Sequence, residues 1–178
     1  MNRTRIDLFK DLRRISSAMM HGMPCSVFFQ PTDEFIHDIC EKAGKWRVID
    51  VGTGTGMFAR KLIDAGLNVV PIDIVAYENT IPELQICDGT TFPYEPGDLV
   101  VIARPCRGEW IEDTIAVANS AGAEVIYISK PTNLPLDVHS EAIDVAEQMA
   151  KVGMENEVAL IWQPHMFPQQ LSENEMEI

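Results

Sequence analysis

Positive charge is what this chain of 178 residues is short of: 14 lysines and arginines face 27 aspartates and glutamates, for a formal net charge of −13. A protein that grips phosphates over its whole surface needs a field of the opposite sign, so nucleic acid is disfavoured as a partner. Long hydrophobic runs are missing as well. No apolar stretch approaches the roughly 20 residues that span a bilayer, and Met1-Asn2-Arg3-Thr4-Arg5 leads into no signal-peptide core, so a cytoplasmic protein with no membrane attachment is expected. Cysteine is sparse: Cys25, Cys40, Cys87 and Cys106 are widely spaced, with no C-x-x-C pair and no histidine at metal spacing. That pattern supports neither a zinc site nor a disulfide framework, and no metal is expected. His21, His37, His139 and His165 are equally scattered, and each reads as a surface or satisfied core imidazole.

What is present is the composition of an ordinary globule, 46% hydrophobic and 23% charged, long enough for one domain to bury a core without staples. Charge is unevenly placed along it. Arg3, Arg5, Lys10, Arg13 and Arg14 crowd the N-terminus, where they read as a solvated helix face or a local phosphate contact, while residues 172–178 are acidic.

The most informative stretch is Val48-Ile49-Asp50-Val51-Gly52-Thr53-Gly54-Thr55-Gly56, an apolar strand ending in a carboxylate and a loop with glycine at every second position. Glycine there lets the chain turn sharply and lets a ligand approach bare backbone. The helix expected over 57–65 then points its partial positive end at the bound molecule. A dinucleotide fingerprint would require a third glycine at position 57, which is Met57, and a pyrophosphate gains nothing from the carboxylate of Asp50. Asp50 suits a ligand carrying a cationic amine.

Elsewhere the spacing of apolar residues predicts alternating helices and strands. Helices are expected over 6–20, over 33–43 with Thr32 as cap and Gly44 as stop, over 110–121 and over 140–152, where Ile143, Ala146, Met149 and Ala150 share a face. Strands are expected over 46–51, 68–73, 84–87, 98–103, 124–129 and 157–162. Pro71, lacking an amide hydrogen, is expected to bend the second strand or cost it one ladder bond. Such alternation implies a three-layer α/β/α sandwich around a mostly parallel, doubly wound sheet. In such sheets ligands sit beyond the carboxyl ends of the strands near the switch in strand order. Asp50, Asp73, Asp88 and Arg104 end the first four strands, so three acids and one base are expected to converge on one crevice. Asp73 lies where an acidic side chain accepts from both hydroxyls of a ribose; Asp73 and Asp88 each also fit a cap or turn.

The acid-x-Gly-x-Gly-x-Gly pattern from Asp50 to Gly56 resembles motif I of the class I (Rossmann-like) S-adenosylmethionine-dependent methyltransferases. That resemblance covers about residues 28–163. It implies S-adenosyl-L-methionine as cofactor, held by Asp50, Gly52, Thr53, Gly54, Gly56, Asp73, Ile74, Asp88, Gly89 and Arg104, with Ile74 against the adenine ring and Asp88 accepting from its amino group. Phe28-Phe29-Gln30-Pro31-Thr32 is similar to motif X of the amino-methylating DNA methyltransferases, which would lie at the methionine end of the cofactor.

The chain also departs from these relatives. Amino-methylating nucleic-acid enzymes carry Asn-Pro-Pro-Tyr after the fourth strand, where this chain reads Ala103-Arg104-Pro105-Cys106; an arginine has no acceptor for an amino donor. Pro105-Cys106 is similar to the nucleophile motif of cytosine C5 methyltransferases, and a thiolate near Arg104 and Arg107 would have a lowered pKa, but the partner motifs of that family are missing. Arg104 and Cys106 are thus the candidate catalytic residues, and Arg104 with Lys130 would attract an acidic acceptor. No second strand is evident after 157–162, so the fold is expected to be minimal or trimmed at its C-terminus. Taken together, a single methyltransferase-like domain is expected, with a helical extension over 1–27, a cofactor-binding core over 28–163 and an acidic tail over 164–178. Its expected activity is methyl transfer to an acceptor that the sequence does not identify; the alternatives are a non-catalytic module that binds the cofactor or a protein partner, and a dinucleotide enzyme, against which Met57 argues.

Overall fold

The computed structural model describes residues 29–77, 79–105, 108–129, 143–144, 152–153 and 157–162. The expected extension over 1–27, the acidic tail, Cys106, Arg107 and Lys130 lie outside the described residues. Among those described, no helix is long and apolar enough to cross a membrane.

Helix α1, Asp33–Ala43, starts where the Thr32 hydroxyl accepts a hydrogen bond from the Phe35 amide at 3.2 Å and stops at Gly44, whose φ of 54° few other residues tolerate. It buries Phe35, Ile39 and Ala43. The chain then enters β1, Val48–Val51, buried at every position, and after the glycine loop forms α2, Met57–Asp64. Next come β2, Val69–Asp73, the two-residue β3, Gln85–Ile86, and a single 3-10 turn at Gly89–Thr91. Strand β4, Leu99–Ala103, helix α3, Trp110–Ser120, and strand β5, Glu124–Ser129, complete the parallel part. Strands β6, Ile143–Asp144, and β7, Val158–Trp162, close the far edge.

The sheet runs β3-β2-β1-β4-β5-β7-β6. Strands β1 to β5 are parallel, and β7 enters antiparallel between β5 and β6. Side chains of β4 alternate faces, as the pleat requires. Val101 joins Phe35, Ile39, Phe58, Leu62 and Ile126 on the side of α1 and α2, whereas Val100 and Ile102 join Ile111, Ile115, Val125 and Tyr127 on the side of α3. The expected α/β/α sandwich is therefore observed. The order reverses between β1 and β4, which puts the ligand crevice at their carboxyl ends.

Two local expectations change. The helix expected over 140–152 does not extend through Ile143 and Asp144, which pair as β6 with Ile161 and Leu160 of β7. Helical spacing misled here because the partner strand that fixes these two residues is distant in sequence. The expectation that no second strand follows β7 falls on residues 163–178, outside those described; the reversed strand β7 has a neighbour supplied from upstream and only two residues long. Pro71 is accommodated without loss of register, facing Asp50 in β1, while β3 pairs only with Ile72 and Asp73.

Candidate functional site

The loop between β1 and α2 is built on three left-handed residues, Gly52, Gly54 and Gly56, with φ of 72°, 62° and 81°. A side chain at any of them would cost about 1–2 kcal/mol of backbone strain. Below the loop are two buried acids, each 2% exposed. Asp73 holds the loop from the β2 side: Oδ2 accepts from the Gly54 amide at 3.0 Å and Oδ1 from the Val75 amide at 3.2 Å. Asp50 accepts from the Thr53 hydroxyl at 2.5 Å and from the Ala59 amide. Gly56 offers α2 no capping side chain, so Asp50 supplies the carboxylate that the helix N-terminus lacks.

Burial pushes the Asp50 carboxyl up to about 7, opposed by the Thr53 hydrogen bond and reinforced by the negative charge of Asp73. No described cation forms an ion pair with Asp50. The Thr55 hydroxyl, in the same loop, is buried and makes no hydrogen bond among the described residues. The rim carries an acidic pair beneath, bare backbone above, and one polar group without a partner.

The other expected residues divide. Ile74 is half-buried just beyond β2. Asp88 Oδ1 accepts from the amide and hydroxyl of Thr90, at 2.9 and 2.8 Å, and so caps the 3-10 turn. Gly89 is a packing glycine: a Cβ there would stand 2.7 Å from Val51 Cγ1 and 3.1 Å from Thr114 Oγ1. Arg104 sits at the end of β4 with φ of 47°, the one non-glycine residue with positive φ among those described. Its amide donates to Ile128 O, and its guanidinium pairs with Glu157, the two side chains being 11% and 1% exposed. The charge expected to draw an acidic acceptor is thus met by a carboxylate of the protein itself.

Three residues, two beside the loop and one at the corner after β4, were not legible as site residues. Trp110 packs against Gly52, its ring edge 3.6 Å from where a Cβ would be. Ile81, in the β2–β3 connection, covers Gly56 and donates its amide to Thr55 O at 3.2 Å. Glu157 is the third. Only Trp110 carried a sequence signal, an aromatic directly after the Gly108 turn that follows β4; the others come from pairings distant in the chain.

Beside the loop, a cavity of about 550 Å³ opens between the segment 29–34 and the first turns of α2, where Met57 and Lys61 line it. The segment is held in place by a bridge between Pro31 and Gly153 and by the Thr32 amide on Val152 O at 3.3 Å.

No family model matches the sequence, and no curated protein matches it. Among solved structures the chain is similar to the 1,6-didemethyltoxoflavin-N1-methyltransferase of Burkholderia thailandensis, solved with bound 1,6-didemethyltoxoflavin and S-adenosylhomocysteine. That match has a TM-score of 0.56 and 10% identity over 92% of each chain. It is also similar to a TehB-like SAM-dependent methyltransferase from Corynebacterium glutamicum, with a TM-score of 0.49 and 15% identity over 91% of this chain and 100% of that one. A further match, to a structure concerning conversion of a disulfide bond into a thioacetal group during echinomycin biosynthesis, has a TM-score of 0.48 and 20% identity over 67% of this chain and 60% of that one. The fold is that of the class I methyltransferases.

Proposed function

We propose that this protein binds S-adenosyl-L-methionine at the Gly52–Gly56 loop and transfers its methyl group to an acceptor. The observation that carries the reading is the buried pair Asp50 and Asp73 directly under a loop of three left-handed glycines, with no cation among the described residues paired to Asp50. Such a pair is costly when dry, and a cationic ligand relieves the cost. The bare loop fits close approach of a ligand, and the buried Thr55 hydroxyl supplies a polar group for it. The Burkholderia thailandensis structure of the same fold contains S-adenosylhomocysteine.

In this reading Gly52, Thr53, Gly54 and Gly56 cradle the cofactor, Asp50 faces its amine and Asp73 its ribose. Ile74 and Asp88 stand on the adenine side; Gly89 keeps β1 and α3 close enough to shape the floor, and Arg104 fixes the corner at β4. The cofactor supplies an activated sulfonium methyl, and the chain supplies position and exclusion of water. Trp110 packs against Gly52 and Ile81 against Gly56, at the two ends of the loop. A second reading, a module that binds the cofactor without catalysis, draws on the corner after β4, where Arg104 is paired with Glu157 and no described side chain offers a base.

Titration calorimetry with S-adenosylmethionine and S-adenosylhomocysteine tests the reading; absence of heat with both overturns it. Asp73→Ala removes an acceptor for the ligand and also the anchor of Gly54, so affinity is expected to fall by about 1–3 kcal/mol. An unchanged affinity in a folded variant removes Asp73 from the site. Labelled methyl donor mixed with cell-extract fractions separates the two readings, since a module binds and gives no labelled product.

A further inference from the structure

Resting on the methyl-transfer reading, we infer that the cavity beside Met57 receives the methyl acceptor, rather than the methionine end of the cofactor that the motif X resemblance of the segment 28–32 would put there, and that this acceptor is a small molecule with an apolar ring and an amine. The place follows from the topology. Helices α1 and α2 both begin at the carboxyl ends of the strands, and Met57 is the residue after Gly56, so the cavity adjoins the donor loop. The bridge between Pro31 and Gly153 fixes its outer wall close to Glu157, which leads into β7 at that same end of the sheet.

The size follows from the volume: about 550 Å³ lies within the range of small-molecule sites, roughly 300–1,000 Å³. The apolar part follows from Phe29, Pro31 and Met57. Phe29 is held edge-on by the rings of Phe35 and Phe58, at 5.8 and 5.2 Å, which makes it a rigid wall. Met57 is 45% exposed at the start of its helix, and a flexible thioether adapts to a flat ligand. The sign of charge follows from the rim. Among the described residues, Asp33 and Glu34 stand there against one cation, Lys61, which lies 3.9 Å from Asp33 and donates to Pro31 O. An anionic acceptor would meet two carboxylates and the field of a chain carrying −13, whereas an amine has Glu34 to meet. On transfer the acceptor's nucleophilic atom gains the methyl carbon, the carbon–sulfur bond of the donor breaks with its electron pair passing to sulfur, and the proton that the acceptor sheds leaves to water.

Two probes of one shape and opposite charge, tryptamine and indole-3-acetate, decide the matter. The protein is prepared with isotope-labelled methionine methyl groups, Met57 is assigned by loss of its signal in Met57→Leu, and S-adenosylhomocysteine is added to saturation before either probe. Tryptamine is expected to move the Met57 signal without displacing S-adenosylhomocysteine, and to bind about tenfold more tightly than indole-3-acetate. Glu34→Gln is expected to narrow that gap, and Met57→Trp, which fills the cavity, to abolish tryptamine binding by calorimetry. Displacement of S-adenosylhomocysteine by tryptamine would assign the cavity to the donor and overturn the inference. So would equal binding of the two probes, or a Met57 signal that neither moves. Those outcomes leave the methyl-transfer reading standing, which fails only if S-adenosylhomocysteine itself does not bind.

Discussion

Asp50 is where burial and chemistry conflict most sharply. Its carboxyl titrates near 7 in the folded chain, against an ordinary value near 4, chiefly because almost no solvent reaches it. Between those two values the folded protein holds a proton that the unfolded chain has released. Linkage then requires that Asp50's share of the stability be lost as pH rises from about 4 to about 7, with no further change above. The share is on the order of a few kcal/mol. Asp50→Asn keeps an acceptor for Thr53 and Ala59 but cannot ionise, so its thermal midpoint is expected to decline less between pH 5 and pH 8 than that of the unaltered protein. Parallel declines would mean that Asp50 is not the group responsible. A cationic ligand favours the ionised form, so binding of S-adenosylmethionine is expected to strengthen as pH rises through about 7, and to lose that dependence in Asp50→Asn.

At the scale of elements, the glycine loop is stable only because three segments meet over it. Gly56 has both a left-handed backbone and no room, since a Cβ would lie 2.5 Å from Ile81 Cγ1. Ile81 is tied to the loop through Thr55 O, and its connection is clamped to α2 by Arg60, which makes two hydrogen bonds to Glu83. Gly56→Ala is therefore expected to destabilise by about 2–4 kcal/mol, combining backbone strain with overpacking. Gly66→Ala, at a φ of 92° where α2 ends, meets open space and carries the backbone term alone, about 1–2 kcal/mol. Equal losses in urea denaturation would show that Ile81 does not press on the loop. The corner joining β4 to β7 makes a second case. Removing the carboxylate in Glu157→Leu takes from the buried Arg104 guanidinium its pairing with Glu157, at a cost on the order of 3 kcal/mol. A loss below about 1 kcal/mol, the range of exposed pairs, would contradict the pairing.

These elements also show what a sequence discloses. Thr32 and Gly44 bracket α1, and Gly52, Gly54 and Gly56 mark the loop, because caps and left-handed turns are decided by adjacent residues. The apolar runs of β4 and β5 are equally local. Asp73 was legible as an acid at a strand end, yet its grip on the Gly54 amide depends on how β2 lies beside β1. Arg104 and Glu157 are 53 residues apart, and nothing in either neighbourhood announces the other. Ile143 fell on a helical face in the sequence and pairs as strand, because Ile161 stands opposite it.

For the whole molecule, strand order and net charge act together. The crevice between β1 and β4 lies where the two halves of the sheet diverge, with β2 and β3 on one side and β5, β7 and β6 on the other. A ligand there touches β1, β2 and the start of α2 at once, and its binding energy adds to the stability of both core layers that share β1 and β4. S-adenosylhomocysteine at 100 times its dissociation constant is expected to add about 2.7 kcal/mol, which for a domain of this size corresponds to a rise of roughly 5–10 °C in thermal midpoint. Nucleic acid is not expected to bind by such a route, since a net charge of −13 disfavours phosphates and the described Arg104 is already paired with Glu157. A short RNA or DNA duplex at low salt is expected to leave the midpoint where it was. A midpoint raised by the duplex and lowered again by added salt would mean that a local basic surface outweighs the net field, and the acceptor would then have to be sought among nucleic acids.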